Sequence, residues 1–356
     1  MEKAYLVLEN GAVFEGVAFG APVEKTGELV FTTNVVGYLE TLSDAAYYGQ
    51  IVLQTFPLIG NYGIIPQDFE GECHLSGYVV RECCENPSNF RSEGDLDSFL
   101  KEKGIPGIAG VDTRAITRML RDQGIMNARI CREVPADLSE IKEYRIANAV
   151  QAVSVKAPVT YEAEGTPCCR IALLDLGAKK STIEYLRKRG AAVTVLPACS
   201  TADQVLATGA DGLLLSGGPG NPEDCAAQVE TIRALLGKLP IFGIGLGHQL
   251  LALAAGGKTE RLPYGHRGAS QPVKDLSSNR TYITGQNHGY VVRADSLPGA
   301  RVRFVNANDM TCEGLEYDAL RAFSVQFDPE ISSGPNNCSF LFDRFFELMG
   351  GDCACR

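Results

Sequence analysis

From residue 169 onward, short apolar runs alternate with helical stretches, and no other feature of the chain restricts its fold as strongly. Ile171-Ala172-Leu173-Leu174-Asp175 ends at Gly177, and a helical pattern follows from Ser181 to Arg189. Ala192-Val193-Thr194-Val195-Leu196, Gly212-Leu213-Leu214-Leu215-Ser216 and Ile241-Phe242-Gly243-Ile244 repeat the strand signal. Strands that alternate with helices imply a parallel sheet covered by helices on both faces. Ligands of such sheets bind outside the carboxyl ends of the strands. The glycine-rich turns lie there: Gly217-Gly218-Pro219-Gly220, and Gly243-Ile244-Gly245-Leu246-Gly247-His248-Gln249. The second turn joins a strand to an apolar helix carrying Leu250, Leu251, Leu253, Ala254 and Ala255. This is the geometry of a nucleophile elbow, whose middle residue is held in a strained conformation with its side chain above the sheet. Here the middle residue is Gly245, which has no side chain.

The preceding part of the chain reads as strands and loops. Tyr5-Leu6-Val7-Leu8, Asn10-Gly11 and Ala12-Val13-Phe14 predict a hairpin with a type I′ turn. Val30-Phe31 and Ile51-Val52-Leu53 are further strand candidates. One helix stands out, N-capped by Asp112, striped by Ile116, Met119 and Leu120, and stopped by Gly124. Between 131 and 168 the chain is charged and then rich in Pro, Glu and Gly, with weak periodicity. The expected division is therefore a first domain at 1–130, a linker region at 131–168, a second domain at 169–350 and a tail at 351–356.

A length of 356 residues fits two domains. A net charge of −10 argues against a general nucleic-acid binder. No apolar run is long enough for a transmembrane helix, and the opening residues lack a signal-peptide core, so no membrane role and a cytoplasmic location are expected. Twelve cysteines are scattered without a C-x-x-C pair; Cys353 and Cys355 form a C-x-C without a local histidine. Free thiols and no metal site are the expectation. Cys225 follows the 219–222 loop, but nothing in the sequence puts its sulfur over the 243–249 turn. Three of the four histidines, His248, His266 and His288, read as structural hydrogen-bonders.

Over nearly its whole length the chain resembles the small, glutamine-hydrolysing subunit of carbamoyl-phosphate synthetase. In the first part the resemblance rests on Leu6-Val7-Leu8-Glu9-Asn10-Gly11, Pro57-Leu58-Ile59-Gly60-Asn61-Tyr62-Gly63, and Gly104-Ile105-Pro106-Gly107-Ile108-Ala109-Gly110-Val111-Asp112-Thr113-Arg114-Ala115. These stretches look specific to that subunit. In the second part it rests on Leu215-Ser216-Gly217-Gly218-Pro219-Gly220, the 243–249 turn, Gln286-Asn287-His288-Gly289-Tyr290, and Phe323-Ser324-Val325-Gln326-Phe327-Asp328-Pro329-Glu330, which are similar to class I glutamine amidotransferases. The resemblance implies an α/β protein: a β-rich small-subunit domain followed by a class I amidotransferase domain with a mostly parallel sheet. It also implies a chemistry. A cysteine thiolate at the elbow attacks the glutamine amide, a histidine exchanges the proton, and a glutamate orients the histidine. Backbone N–H groups stabilise the oxyanion. The ammonia passes to a large partner subunit, which holds ATP, Mg and bicarbonate, in arginine or pyrimidine biosynthesis; no cofactor is implied for the small chain itself.

Against that pattern the nucleophile position is Gly245 and the histidine position is Asp328, so only Glu330 of the triad matches. A serine of the first domain that reaches the glutamine site in the family is replaced by Ala46, within Ser43-Asp44-Ala45-Ala46-Tyr47. The binding elements look better kept: Gly218 and Gly220 present backbone, Leu246 an elbow N–H, Gln249 lies one turn into the helix, and Asn287, Gly289 and Tyr290 hold the amino-acid end. The leading expectation is a glutaminase-dead small subunit that supports a large subunit, as a heterodimer, using free ammonia. The alternative is a regulatory or sensor module that binds L-glutamine without hydrolysing it. A residual hydrolase using Asp328 is the weakest reading.

Overall fold

In the computed structural model, which describes residues 2–332 and 338–350, the chain separates into two units, Met1–Ala147 and Asn148–Arg356. The first is built on a closed barrel. Around it run Lys3–Leu8, Val13–Gly20, Pro106–Ala109, Gly77–Val79, Gln50–Gln54, Lys25–Thr32 and Met126–Cys131, which returns to the first strand. Closure removes the exposed edges that an open sheet of short strands would present. Leu6, Leu29, Ile51, Leu53, Val79, Ile108 and Ile130 belong to one fully buried cluster of this unit.

The opening hairpin forms with Leu6 opposite Phe14 and Val7 opposite Val13. Its turn differs from the type I′ expectation. Only Gly11 takes a positive φ in it (88°), and Leu8 accepts from the Gly11 N–H and donates to the Ala12 carbonyl. That is a three-residue loop closed by a left-handed glycine. The helix Thr113–Gln123 begins where Asp112 accepts from the Ala115 N–H at 2.9 Å, and buries Ile116 and Leu120. The 131–168 stretch carries the short helices Ser139–Glu143 and Ala149–Val153 and the strand Val159–Tyr161.

The second unit holds an eleven-stranded sheet. Its centre is parallel, in the order Ala191–Pro197, Cys169–Asp175, Gly212–Leu215, Ile241–Ile244, Ala322–Val325. These strands are apolar on both faces because both are covered. Leu174, Leu213 and Leu215 pack with Ile232, Leu250 and Leu251 of the helices Ala226–Leu235 and Leu246–Ala254. Leu173, Leu214 and Phe242 pack with Leu186, Phe342 and Phe345 of Lys180–Lys188 and Phe340–Leu348.

Beyond the parallel centre the sheet continues antiparallel through Cys312–Tyr317, Arg301–Asn306, Lys258–Asp275, Arg280–Arg293 and Asp328–Ser332. The sequence reading did not find this half. Its longest pair buries His266, Arg267, Gln286 and His288, so the polar–apolar alternation that announces a strand is missing. Nine of the described cysteines are free thiols, whereas Cys168 is disulfide-bonded, which corrects the all-thiol expectation at that residue. Cys353, Cys355 and the 351–356 tail lie outside the described residues. Among the described residues no helix is long and apolar enough to cross a membrane.

Candidate active site

The strand Ile241–Ile244 ends in a sharp turn at Gly245, which adopts φ 55° and ψ −113°, and the helix Leu246–Ala254 starts at once. Three backbone bonds fix this turn. Gly245 N–H donates to the Val325 carbonyl (2.9 Å), Gly247 N–H to the Ser216 carbonyl (3.0 Å), and Gln249 N–H to the Gly245 carbonyl (3.3 Å). A Cβ added at Gly245 would meet the Gly217 Cα at 3.3 Å and the Gln326 carbonyl oxygen at 3.9 Å. The space above the turn is therefore open to a side chain that Gly217 gives way to by a few tenths of an ångström. Leu246, at the first helical position, has an N–H with no intrahelical acceptor, at the positive end of the helix dipole.

Gly218 lies in the neighbouring loop, where a Cβ would come within 2.1 Å of the Leu176 carbonyl oxygen, so only glycine lets the two backbones meet there. Gly220 follows at φ 93°. The opposite wall comes from the end of Cys169–Asp175. Asp175 Oδ1 accepts from the Gly177 and Ala178 N–H groups (3.0 and 2.8 Å), and the turn so formed delivers Lys179.

Lys179 was not singled out from the sequence, although its place just past a parallel strand's carboxyl end is the signal that could have found it. Its Nζ lies 2.6 Å from Asp328 Oδ2, with both side chains nearly buried. Asp328 is thus half of an ion pair. Glu330, two residues along Asp328–Ser332, is buried and accepts from Thr182 Oγ1 at 2.6 Å, while its Oε2 has no partner among the described residues. Burial, reinforced by the Asp328 charge, pushes the Glu330 carboxyl up to about 7 against the opposing pull of Lys179 and Thr182. The three groups can hold charge and a proton; none stands over Gly245 as a thiol would.

Gln249 points its amide at two acceptors, the Tyr290 carbonyl (2.8 Å) and Gln326 Oε1 (2.9 Å). Gln326 is buried and its Nε2 has no partner among the described residues. Asn287, Gly289 and Tyr290 lie on Arg280–Arg293, with Asn287 opposite Arg267 and Tyr290 opposite Arg261 in the ladder. His248 Nδ1 pairs with Ser324 Oγ at 2.7 Å, and burial drives its imidazole down to about 3, so it stays neutral. Cys225 is buried at the start of Ala226–Leu235, where burial pushes its thiol up to about 11; it offers no thiolate. The structure therefore joins the Gly217–Gly218 loop, Gly245 and the Gln249 helix to Tyr290 and Gln326, and pairs Asp328 with Lys179 and Glu330 with Thr182. Ala46 lies in the first unit, in the single turn Ala45–Tyr47, where its N–H donates to Asp44 Oδ1 at 2.9 Å.

Residues 6–130 match the carbamoyl-phosphate synthase small chain, CPSase domain family, and residues 172–348 match the class-I glutamine amidotransferase family. The carbamoyl phosphate synthase small chain of Bacillus caldolyticus is 47% identical over 98% of this chain and 96% of its own length. That of Listeria monocytogenes serotype 4b (strain F2365) is 45% identical over 99% and 98%. The pyrimidine-specific small chain of Bacillus subtilis (strain 168) is 46% identical over 98% and 96%.

Proposed function

Since the chain belongs to the carbamoyl-phosphate synthase small-chain family, we propose that it is a small subunit that has lost glutamine hydrolysis and serves an ATP-using large subunit supplied with free ammonia. The observation that carries this reading is the elbow itself. The turn, its close-packed glycine loop and its helix N-terminus are all present, but the side chain they would hold is missing at Gly245. No acyl-enzyme can form without it, and groups that act as a unit leave little when one is removed. Asp328 cannot take the proton-shuttling part of a histidine, because it is held by Lys179 at 2.6 Å. Pyrimidine biosynthesis is the pathway that fits the naming of two relatives; cytoplasmic location and a heterodimer with the large subunit belong to the same reading. Purified protein incubated with glutamine should release ammonia at background rate. Release within tenfold of a cysteine-bearing relative would sink the reading.

A second reading is favoured by one observation. Gln249 is pinned by Tyr290 and Gln326, and the buried Gln326 Nε2 beside it has no partner among the described residues, which offers a donor to an amide or carboxylate oxygen. The site then binds L-glutamine intact and reports it to the partner. A glutamine-dependent rise in melting temperature supports this; none at tens of millimolar removes it.

A further inference from the structure

Behind the Tyr290 carbonyl lies a chain of buried polar groups that the glutamine chemistry does not use. His288 Nδ1 is 2.9 Å from the Tyr290 carbonyl oxygen, and His288 Nε2 is 3.0 Å from Gln286 Oε1. Gln286 Nε2 is 3.0 Å from Glu313 Oε2, and Glu313 Oε1 is 3.3 Å from His266 Nδ1. His266 Nε2 ends the chain at 2.8 Å from Asp309 Oδ2, at the half-exposed outer rim. Four strands contribute: His266 from Lys258–Asp275, Gln286 and His288 from Arg280–Arg293, Glu313 from Cys312–Tyr317, and Asn306 of Arg301–Asn306, whose amide also reaches His266 and Glu313 at 3.4 Å. Glu313 is 0% exposed.

We propose that Glu313 is a positioning residue for the amide pocket: a buried carboxyl that, through Gln286 and His288, holds the Tyr290 carbonyl against the Gln249 amide, with His266 closing the outer end. The positioning role rests on the glutamine-binding reading above. Donors and acceptors limit the proton assignment to two states. The Tyr290 carbonyl only accepts, so His288 Nδ1 carries a hydrogen. If Gln286 keeps Oε1 toward His288, both ring nitrogens must donate, and a His288 cation faces a Glu313 anion across one amide. If the Gln286 amide is turned by half a rotation, its NH2 donates to a bare Nε2 on neutral His288, and Glu313 donates its own proton to the Gln286 oxygen. The two states hold the same protons; one proton has moved from His288 Nε2 to Glu313 Oε2. The Thr284 hydroxyl, 3.2 Å from Gln286 Nε2 and 3.0 Å from the Gln271 carbonyl oxygen, rotates to serve either.

Burial favours the neutral pair. It drives the His288 imidazole well down, helped by the charge on His266, and raises the Glu313 carboxyl. His266 then stands between Asp309 and the Glu313 carbonyl-type oxygen, where the Asp309 carboxylate at 2.8 Å favours its charged form. His266, His288 and Glu313 also have ligand atoms within 4.8 Å of one another, which is a metal-sized grouping. Each of those atoms already has a hydrogen-bond partner at 2.8–3.3 Å, so an ion bound there would displace part of this network.

The test uses the full chain with its four histidine rings labelled with nitrogen-15, together with thermal shift against glutamine. The spectrum should show one neutral ring protonated at Nδ1 that is assigned to His288 by its loss in His288→Asn, and one imidazolium assigned to His266. Glu313→Gln, which supplies an acceptor and a donor where the carboxyl does, should keep the wild-type glutamine shift. Glu313→Ala should weaken glutamine binding about tenfold. A cationic His288, stoichiometric zinc in the purified protein, or loss of binding in Glu313→Gln each overturns the proposal. A wild-type protein with no glutamine shift removes the pocket and the positioning role together, while the ring spectrum still decides the proton assignment.

Discussion

Gly245 holds φ 55° and ψ −113°, a backbone state that a residue with a Cβ enters only under strain. An active relative must accept that strain to expose its nucleophile. Placing a cysteine here should cost about 1–3 kcal/mol, increased by the shift demanded of Gly217, which a Cβ would approach to 3.3 Å. Gly245→Cys should therefore melt a few degrees below wild type; a variant of equal or greater stability would contradict the strain account. Glu330 makes a second residue-scale case. Its folded-state pKa of about 7 lies above the ordinary carboxylate value of 4.5, chiefly because it is buried. Between those two values the folded chain keeps a proton that the unfolded chain has released, so stability falls as pH rises through the window and levels off above about 7. Glu330→Gln removes this dependence. Relative to wild type it should gain stability on going from pH 5 to pH 8, by at most ~3 kcal/mol at about 1.4 kcal/mol per pH unit. Parallel stability curves for the two proteins across that range would show that the carboxyl does not titrate there.

At the scale of elements, legibility followed the strength of the local signal. The parallel strands were readable because they are short, apolar throughout and bounded by glycine, and the helix Thr113–Gln123 because Asp112 and Gly124 mark its ends. The elbow was readable as a strand–turn–helix, and its glycine at 245 was visible in the sequence alone. The turn at Gly11 was misread because Asn-Gly permits a type I′ turn without requiring one; here only the glycine goes left-handed. The antiparallel half escaped for a different reason. Lys258–Asp275 and Arg280–Arg293 turn polar side chains inward to pair with one another, and such a network has no periodicity to read. Lys179 and Thr182 escaped likewise: their importance depends on Asp328 and Glu330, about 150 positions away, coming back beside them.

At the scale of the whole molecule, both units are kept. The matches to known families span both units, residues 6–130 and 172–348, and the relatives align over nearly their full length. Each unit keeps a filled core: Leu6, Leu29, Ile51 and Ile108 are fully buried in the first, and Leu173, Leu214, Phe242 and Phe345 in the second. A chain drifting without function would collect polar or cavity-forming changes in such cores, where one large-to-small substitution costs about 2–5 kcal/mol. A sound fold around an elbow that carries glycine at 245 fits a part that is still needed as a partner. Co-expressed with a carbamoyl-phosphate synthase large subunit, the chain should copurify with it. The complex should make carbamoyl phosphate from bicarbonate and ATP when given ammonium, and at background rate when given glutamine. Gly245→Cys combined with Asp328→His should raise the glutamine-supported rate while leaving the ammonium-supported rate where it was. Synthesis from glutamine by the unaltered complex at a rate near that with ammonium would overturn the glutaminase-dead reading. Failure to copurify, with a glutamine-dependent thermal shift in the chain alone, would transfer the function to intact glutamine binding.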